Sequence, residues 1–126
     1  MNKLIDKFKK SKNIAVVGAS DNKSKYGYKV YKKLKRKNFN VFPVNPSKDK
    51  IDDDKVFDSI LEIKEKIDSV SMIVNPKIGK KVIKEIKKMG INLVWFQPGA
   101  YNSEILNYCK KNDIETIYER CVLVDL

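Results

Sequence analysis

The chain has the sequence pattern of an α/β protein in three layers, with helices on both faces of a five-stranded, mainly parallel sheet. Residues 14–17 (IAVV) are uniformly apolar, as in a central strand that is covered on both faces. Gly18 and two small residues follow this strand, and a basic amphipathic helix comes after them. Apolar strands and amphipathic helices then alternate along the chain, which predicts parallel strands with right-handed crossovers. Together these observations predict a Rossmann-like fold.

The first half of the chain is predicted to hold a short N-terminal helix and one complete strand–helix–strand unit. The predicted elements are a helix around residues 4–8, a strand at 14–17, a helix at about 25–37 and a strand at 41–44. We expect Asn38 to end the second helix in a left-handed conformation. Residues 49–55 are mostly charged and predict a turn.

The second half continues the alternation and completes the sheet. Its predicted elements are a brief edge pairing at 56–57, a short helix at 59–63, a strand at 70–74, a helix at 78–89, a strand at 93–96, a helix that ends near 111 and a strand at 115–118. One face of the longest helix carries the apolar residues Ile78, Val82, Ile83, Ile86 and Met89, which predicts that they are buried. The sequence holds no repeat or linker, so residues 1–126 are predicted to form a single domain.

Composition restricts the classes of function. The formal net charge of +11 favours an anionic partner, such as a nucleotide, a nucleic acid or an acidic protein. Histidine is absent, which excludes Ser-His-Asp and Cys-His catalysis and histidine metal sites. Cys109 and Cys121 lack the spacing of a zinc or redox motif, and we expect both to be buried thiols. Without a signal peptide or a long apolar run, we expect a cytoplasmic protein that does not enter a membrane.

Special residues cluster where the predicted strands end. They are Gly18, Ala19 and Ser20 after the first strand, Asn45 and Pro46 after the second, Asn75 and Pro76 after the third, and Gln97, Pro98 and Gly99 after the fourth. Carboxyl ends of parallel strands meet at one edge of the sheet, where ligands of such folds bind. The sequence therefore predicts one ligand cleft, with a phosphate site between the first strand and the helix that follows it.

The motifs narrow the choice of nucleotide. Neither G-x-G-x-x-G nor the P-loop pattern GxxxxGK[ST] occurs. An NAD site commonly has an acidic residue after the second strand, where this chain has Asn45, followed by Pro46, Ser47 and Lys48. This neutral and basic strand end suits a ribose that carries its own phosphate. Both NADP and the 3′-phospho-ADP part of coenzyme A (CoA) meet that condition.

Five motifs carry a resemblance to a known family: VVGAS, KYGYKVYKKL, VFPVNP, VWFQPGA and ERC. In this order they resemble the small single-domain CoA-binding proteins, which are similar to the CoA-binding domain of the succinyl-CoA synthetase alpha subunit. The resemblance covers residues 14–124. It implies a Rossmann-like domain that binds CoA or an acyl-CoA. Ligase chemistry is not implied, because the phosphohistidine domain of the synthetase has no counterpart in this sequence.

The resemblance also implies which residues surround each part of CoA. These are Gly18, Ala19, Ser20, Lys25 and Tyr26 for the pyrophosphate, Asn45, Pro46 and Lys48 for the 3′-phosphorylated ribose, Asn75 and Pro76 for the adenine side, and Gln97, Pro98 and Gly99 for the pantetheine channel. Lys48 would be the charge partner of the 3′-phosphate. Asp52, Asp53 and Asp54 depart from the family pattern, since they stand where a glycine is usual and would repel a phosphate unless they point away.

Two other classes of function compete with a non-catalytic CoA-binding protein. An NADP- or acyl-CoA-dependent enzyme would need an acid–base pair, and none is evident without histidine. A nucleic-acid-binding module would need basic and aromatic residues together on one face, whereas the lysines are spread over every predicted helix. A protein partner is also compatible with the basic charge.

Overall fold

The computed structural model describes all of residues 1–126, with helices on both faces of a central parallel sheet. In chain order the strands are β1 (Asn13–Val17), β2 (Asn40–Val44), β3 (Lys50–Ile51), β4 (Asp54–Lys55), β5 (Ser69–Met72), β6 (Leu93–Phe96) and β7 (Glu115–Ile117). The helices are α1 (Asn2–Lys9), α2 (Tyr26–Arg36), α3 (Pro76–Lys88), α4 (Ser103–Lys111) and α5 (Val122–Asp125), with a 3-10 turn at Ile60–Glu62. None of these helices has the length and apolar character needed to cross a lipid bilayer.

Five strands form one parallel sheet in the order β2-β1-β5-β6-β7. From β1 the chain crosses outward to β2 and then returns to form β5 on the other side of β1. The strand order therefore reverses between β1 and β5. In open α/β sheets a crevice forms at the carboxyl ends of such a pair, and ligands bind there. The predicted Rossmann-like, three-layer fold is confirmed.

Neighbouring side chains of β1 enter two hydrophobic cores, one on each face of the sheet. Ile14 packs with α1 and α2 on one face, in the same core as Trp95. Ala15 packs with α3 and α4 on the other face, in the same core as Cys109. Trp95 and Cys109 are both fully buried, which confirms the predicted burial of the Cys109 thiol. Burial on both faces explains why residues 14–17 of β1 and all four residues of β6 are apolar.

Asparagine side chains determine several helix ends. Asn75 and Asn102 begin α3 and α4, and each side-chain oxygen accepts a hydrogen bond from the N–H three residues later, at 3.1 and 2.9 Å. Asn38 follows α2 with a φ of 70°, which confirms the predicted left-handed ending. The start of α2 differs, because Lys25 occupies the cap position and makes no side-chain cap bond. The first N–H groups of α2 therefore lack a side-chain partner.

Two short elements and one side-chain position differ from the sequence prediction. Residues 49–55, predicted as a turn, contain the antiparallel hairpin β3–β4, and the C-terminal tail forms α5. Ile78 was predicted to be buried with the apolar face of its helix, and this is wrong, since 51% of the residue is exposed. Because α3 begins at Pro76, Ile78 lies in its first turn, at the mouth of the crevice.

Candidate functional site

A cleft of about 430 Å³ lies at the carboxyl ends of β1 and β2, between the 3-10 turn and α3. Val74, which follows β5, also lines it, so the cleft adjoins the β1–β5 pair at which the strand order reverses. Its apolar lining residues are Val17, Val44, Ile60, Val74, Ile78 and Val82. Both the apolar walls and the volume fit the usual range of small-molecule sites, roughly 300–1,000 Å³.

A larger cavity of about 530 Å³ lies elsewhere, beside the edge strand β7, between α1 and α4. It is lined by parts of one strand and two helices, including Leu4, Leu106 and Lys110. None of the predicted site residues lines it. The smaller cleft is the better candidate because several strand ends and a glycine turn converge there.

The turn after β1 depends on two glycines that lie against each other. Gly18 has a φ of +95°, which other residues rarely adopt, and its N–H donates to the Val44 carbonyl oxygen at 3.0 Å. A Cβ atom on Gly27 would lie only 2.2 Å from the Gly18 carbonyl oxygen and 3.3 Å from the Ser20 nitrogen. Gly27 therefore permits the first turn of α2 to approach this loop closely. The uncapped N–H groups of α2 and the loop backbone meet at this point.

The loop between β1 and α2 is held by its own side chains. The Ser20 hydroxyl oxygen accepts a hydrogen bond from the Asn22 N–H at 3.1 Å. The Asn22 side chain in turn accepts bonds from the Ser24 N–H and hydroxyl, at 3.0 and 2.7 Å. Ala19 and Ser20 are buried, whereas Lys25 is exposed at the helix start. The loop is thus preformed, with one lysine free at its helical end.

The loop after β2 is fastened to the loop after β1. Asn45 donates from its side-chain amide to the Ala19 carbonyl oxygen at 2.8 Å and accepts from the Ser47 N–H at 2.9 Å. Lys48 forms an ion pair with Asp21 at 3.3 Å. Asn45 and Ser47 line the cleft together with Pro46. The two loops predicted to hold the pyrophosphate and the ribose are therefore in direct contact.

The aspartates that depart from the family pattern are paired with α2. Asp52 accepts from Lys32 at 2.9 Å, and this hydrogen bond lowers the pKa of its carboxyl. Burial acts to raise the pKa of Asp54, but hydrogen bonds from Lys35 and Tyr31 outweigh it and lower the pKa. None of residues 52–54 lines the cleft. Two of the three aspartates, Asp52 and Asp54, thus form salt bridges with lysines of α2, and these salt bridges lie outside the candidate site.

Gln97 lies in a closed hydrogen-bond network next to the start of α2. It is fully buried, and its amide nitrogen donates to the Ser71 hydroxyl oxygen at 3.2 Å. Its amide oxygen accepts from the Tyr26 hydroxyl at 3.2 Å and from the Val122 N–H at 3.0 Å. The Tyr26 hydroxyl also contacts the thiol of Cys121, which is only half-buried. With its polar atoms occupied, Gln97 connects β6 to α2 and α5, and its place in a pantetheine channel stays a prediction.

The remaining predicted residues lie around the edge of the same end of the sheet. Pro98 and Gly99 are exposed after β6, where Gly99 has a φ of +87°. Asn75 and Pro76 start α3, so the Asn75 side chain serves as a helix cap. Neither pair lines the cleft itself. Of the predicted residues, Gly18, Asn45 and Pro46 line it directly.

Several cleft residues were missed by the sequence analysis. They are Ser47, Asp58, Ser59, Lys81 and Glu85, with Ile78 and Val82 assigned to the core instead. The Ser59 hydroxyl lies 3.4 Å from the Glu85 carboxylate, which joins the 3-10 turn to α3 across the cleft. The sequence signal that could have found the α3 wall of the cleft is a spacing of three or four residues, which places side chains on one helix face. This spacing relates Ile78, Lys81, Val82 and Glu85.

Comparisons with curated proteins connect this chain to CoA ligases. The acetate–CoA ligase (ADP-forming) of Methanocaldococcus jannaschii is 33% identical over 109 residues, which cover 86% of this chain but 15% of the ligase. The chain thus spans about a seventh of the length of that relative. The uncharacterized protein YneT of Bacillus subtilis is 30% identical over 115 residues and is matched over 85% of its own length.

Solved structures have the same architecture. A conserved hypothetical protein from Pyrococcus furiosus is 40% identical, with a TM-score of 0.87 over 91% of this chain and 99% of that one. A hypothetical protein from Pyrococcus horikoshii is 29% identical, with a TM-score of 0.93 over 98% of this chain and 87% of that one. The family model described as a CoA binding domain matches residues 12–126. The chain belongs to this family of CoA binding domains.

Proposed function

We propose that this chain binds coenzyme A, free or acylated, in the cleft at the carboxyl ends of β1 and β2 and performs no reaction on it. The observation that carries the proposal is the cleft's position at the strand reversal, beside the glycine turn and the uncapped start of α2. Family membership supports CoA as the ligand. The activity of the much longer ligase relatives is not proposed for this chain.

The pyrophosphate of CoA is placed at the loop formed by Gly18, Ala19 and Ser20. The first N–H groups of α2 face this loop without a side-chain cap, and helix dipoles favour anions at that end. Lys25 adds a positive charge at the same helix start, and no acidic residue lies in the first turn of α2. Tyr26 supports the site through its bond to Gln97.

The adenosine part is placed in the cleft. The apolar side chains of Ile60, Val74 and Ile78 offer surfaces against which the flat base can pack. Asn45 and Pro46 lie at the end of β2, where the ribose would meet them. Lys48 follows them and would meet the 3′-phosphate. Asn75 and Pro76 would border the adenine side, and pantetheine would then leave along the carboxyl end of β6, past Pro98 and Gly99.

Neither Tyr26, beside the phosphate loop, nor the core thiol Cys109 is suited to catalysis, and neither lines the cleft. Burial, followed by the hydrogen bond to Cys121, raises the pKa of Tyr26 well above its ordinary value, so this hydroxyl is a poor general base at neutral pH. Burial raises the pKa of the Cys109 thiol to about 12, which keeps it protonated and unreactive. Neither group is paired with a base that would activate a nucleophile.

Calorimetric titration of the protein with CoA, dephospho-CoA, NADP and NAD at one salt concentration tests this function. We expect micromolar binding of CoA, weaker binding of dephospho-CoA, and little binding of the two dinucleotides. Tighter binding of NADP than of CoA would overturn the proposal in favour of a reductase. Absence of binding by all four would also overturn it.

A further inference from the structure

An ion pair joins the two proposed phosphate-binding loops, and one of its partners directly follows Ser47, which lines the cleft. The ammonium of Lys48 lies 3.3 Å from the carboxylate of Asp21, and their side chains are 39% and 48% exposed. Asp21 follows Ser20 directly in the loop after β1, and Lys48 belongs to the loop after β2. The bond from Asn45 to the Ala19 carbonyl oxygen, at 2.8 Å, holds these two loops together. The ion pair is therefore built on a fixed connection between the loops.

The negative charge of Asp21 is unfavourable in a loop that binds only phosphates. The loop around it carries Lys23 and Lys25, and the chain as a whole carries a net charge of +11. A carboxylate next to Ser20 would repel a pyrophosphate at this loop. It also occupies Lys48, the lysine that the proposed function assigns to the 3′-phosphate. An incoming 3′-phosphate and Asp21 would therefore compete for the same ammonium group.

We infer that Asp21 is a positioning residue that competes with the 3′-phosphate of CoA for Lys48 and so keeps the affinity for CoA moderate. The inference rests on the proposed function. In the unliganded protein Asp21 holds Lys48 in the ion pair between the two loops. A doubly charged phosphate displaces the singly charged carboxylate, whereas a ligand without that phosphate leaves the ion pair intact. Asp21 therefore reduces the preference for 3′-phosphorylated ligands that Lys48 creates.

The test is a set of titrations with CoA and dephospho-CoA on Asp21→Asn. Removal of the competing carboxylate is expected to tighten CoA binding about two- to fivefold, the range of an exposed ion pair, with a smaller gain for dephospho-CoA. Asp6→Asn is the matched control, since it makes the same change in net charge on the exposed face of α1 and does not line the cleft. It is expected to leave both affinities unchanged.

The double variant Asp21→Asn, Lys48→Ala separates competition from a general charge effect. Without Lys48, removal of Asp21 is expected to change CoA and dephospho-CoA binding equally, because the ammonium for which Asp21 and the 3′-phosphate compete is absent. Equal or weaker CoA binding by Asp21→Asn with Lys48 present would overturn the inference. A purely structural role of Asp21 would instead lower the melting temperature without improving affinity. Failure of the wild-type protein to bind CoA would refute the proposed function itself.

Discussion

The contact between Gly27 and Gly18 permits the sharpest test of the phosphate loop. In Gly27→Ala the new Cβ would start 2.2 Å from the Gly18 carbonyl oxygen, whereas real Cβ contacts are essentially never below 3.0 Å. The loop and the start of α2 must therefore separate by about 0.8 Å, the difference between these two distances. The obstacle is a backbone atom, which cannot rotate away as a flexible side chain can. The substitution thus alters the proposed cradle directly.

The expected change in the stability of Gly27→Ala is the sum of two opposing effects. Overpacking of this kind costs about 1–3 kcal/mol, and replacing glycine by alanine within a helix returns roughly 0.5–1 kcal/mol. The two ranges give a net loss of roughly 0–2.5 kcal/mol in the free energy of unfolding, centred at about 1 kcal/mol, which corresponds to a melting temperature lower by roughly 3–6 °C. CoA affinity should fall at least about tenfold, because the phosphate contacts depend on sub-ångström placement.

Gly79→Ala is the matched control, since Gly79 also lies in the first turns of a helix that borders the cleft. The nearest atom to the added methyl group would be Ile105 Cδ1 at 3.6 Å, an ordinary contact. Alanine there should keep or slightly raise the melting temperature and leave CoA affinity within about twofold. If thermal melts and titrations of Gly27→Ala matched those of Gly79→Ala, the close approach of α2 to the loop would be irrelevant and the reasoning refuted.

Three further predictions concern the proposed site and the core. Ser20→Asp should abolish CoA binding in titrations with a melting temperature within a few degrees of wild type, because the carboxylate can accept the Asn22 bond but repels the pyrophosphate; unchanged affinity would mean that the site is misplaced. Lys48→Ala should weaken CoA more than dephospho-CoA, and equal weakening would separate Lys48 from the 3′-phosphate. In thiol titration at pH 8, Cys109 should react only after unfolding, because burial raises its pKa to about 12; fast labelling of two thiols in the folded protein would contradict this.

Much of the fold could be predicted because its signals are local and repeated. The strand at 93–96 was predicted with the bounds that β6 has, since four apolar residues stand between polar ones. Asn38 was recognised as a helix end because asparagine tolerates a left-handed backbone. The hairpin β3–β4 was missed because its two-residue strands are mostly charged, and its pairing depends on contacts with α2 that no local pattern reveals.

The candidate site was only partly predictable for a related reason. Strand ends indicate which loops meet, so the loops carrying Gly18 and Asn45 were found. The opposite wall of the cleft comes from side chains on α3, and these look like core residues when only their helical spacing is considered. Ile78 shows the ambiguity, because the same apolar stripe buries Ile83 but leaves Ile78 half exposed at the cleft. The burial of Gln97 depends on α5, a four-residue helix without its own sequence signal.

The most direct test of the central claim is a map of backbone amide NMR shifts during titration with CoA. The account predicts that the largest shifts occur at Gly18, Ser20, Gly27 and Asn45, around the proposed pyrophosphate and ribose positions. It predicts no significant shifts around Leu106, beside the larger cavity next to β7. Shifts confined to that cavity, with the amides of the glycine turn unchanged, would contradict the placement of CoA at the carboxyl ends of β1 and β2.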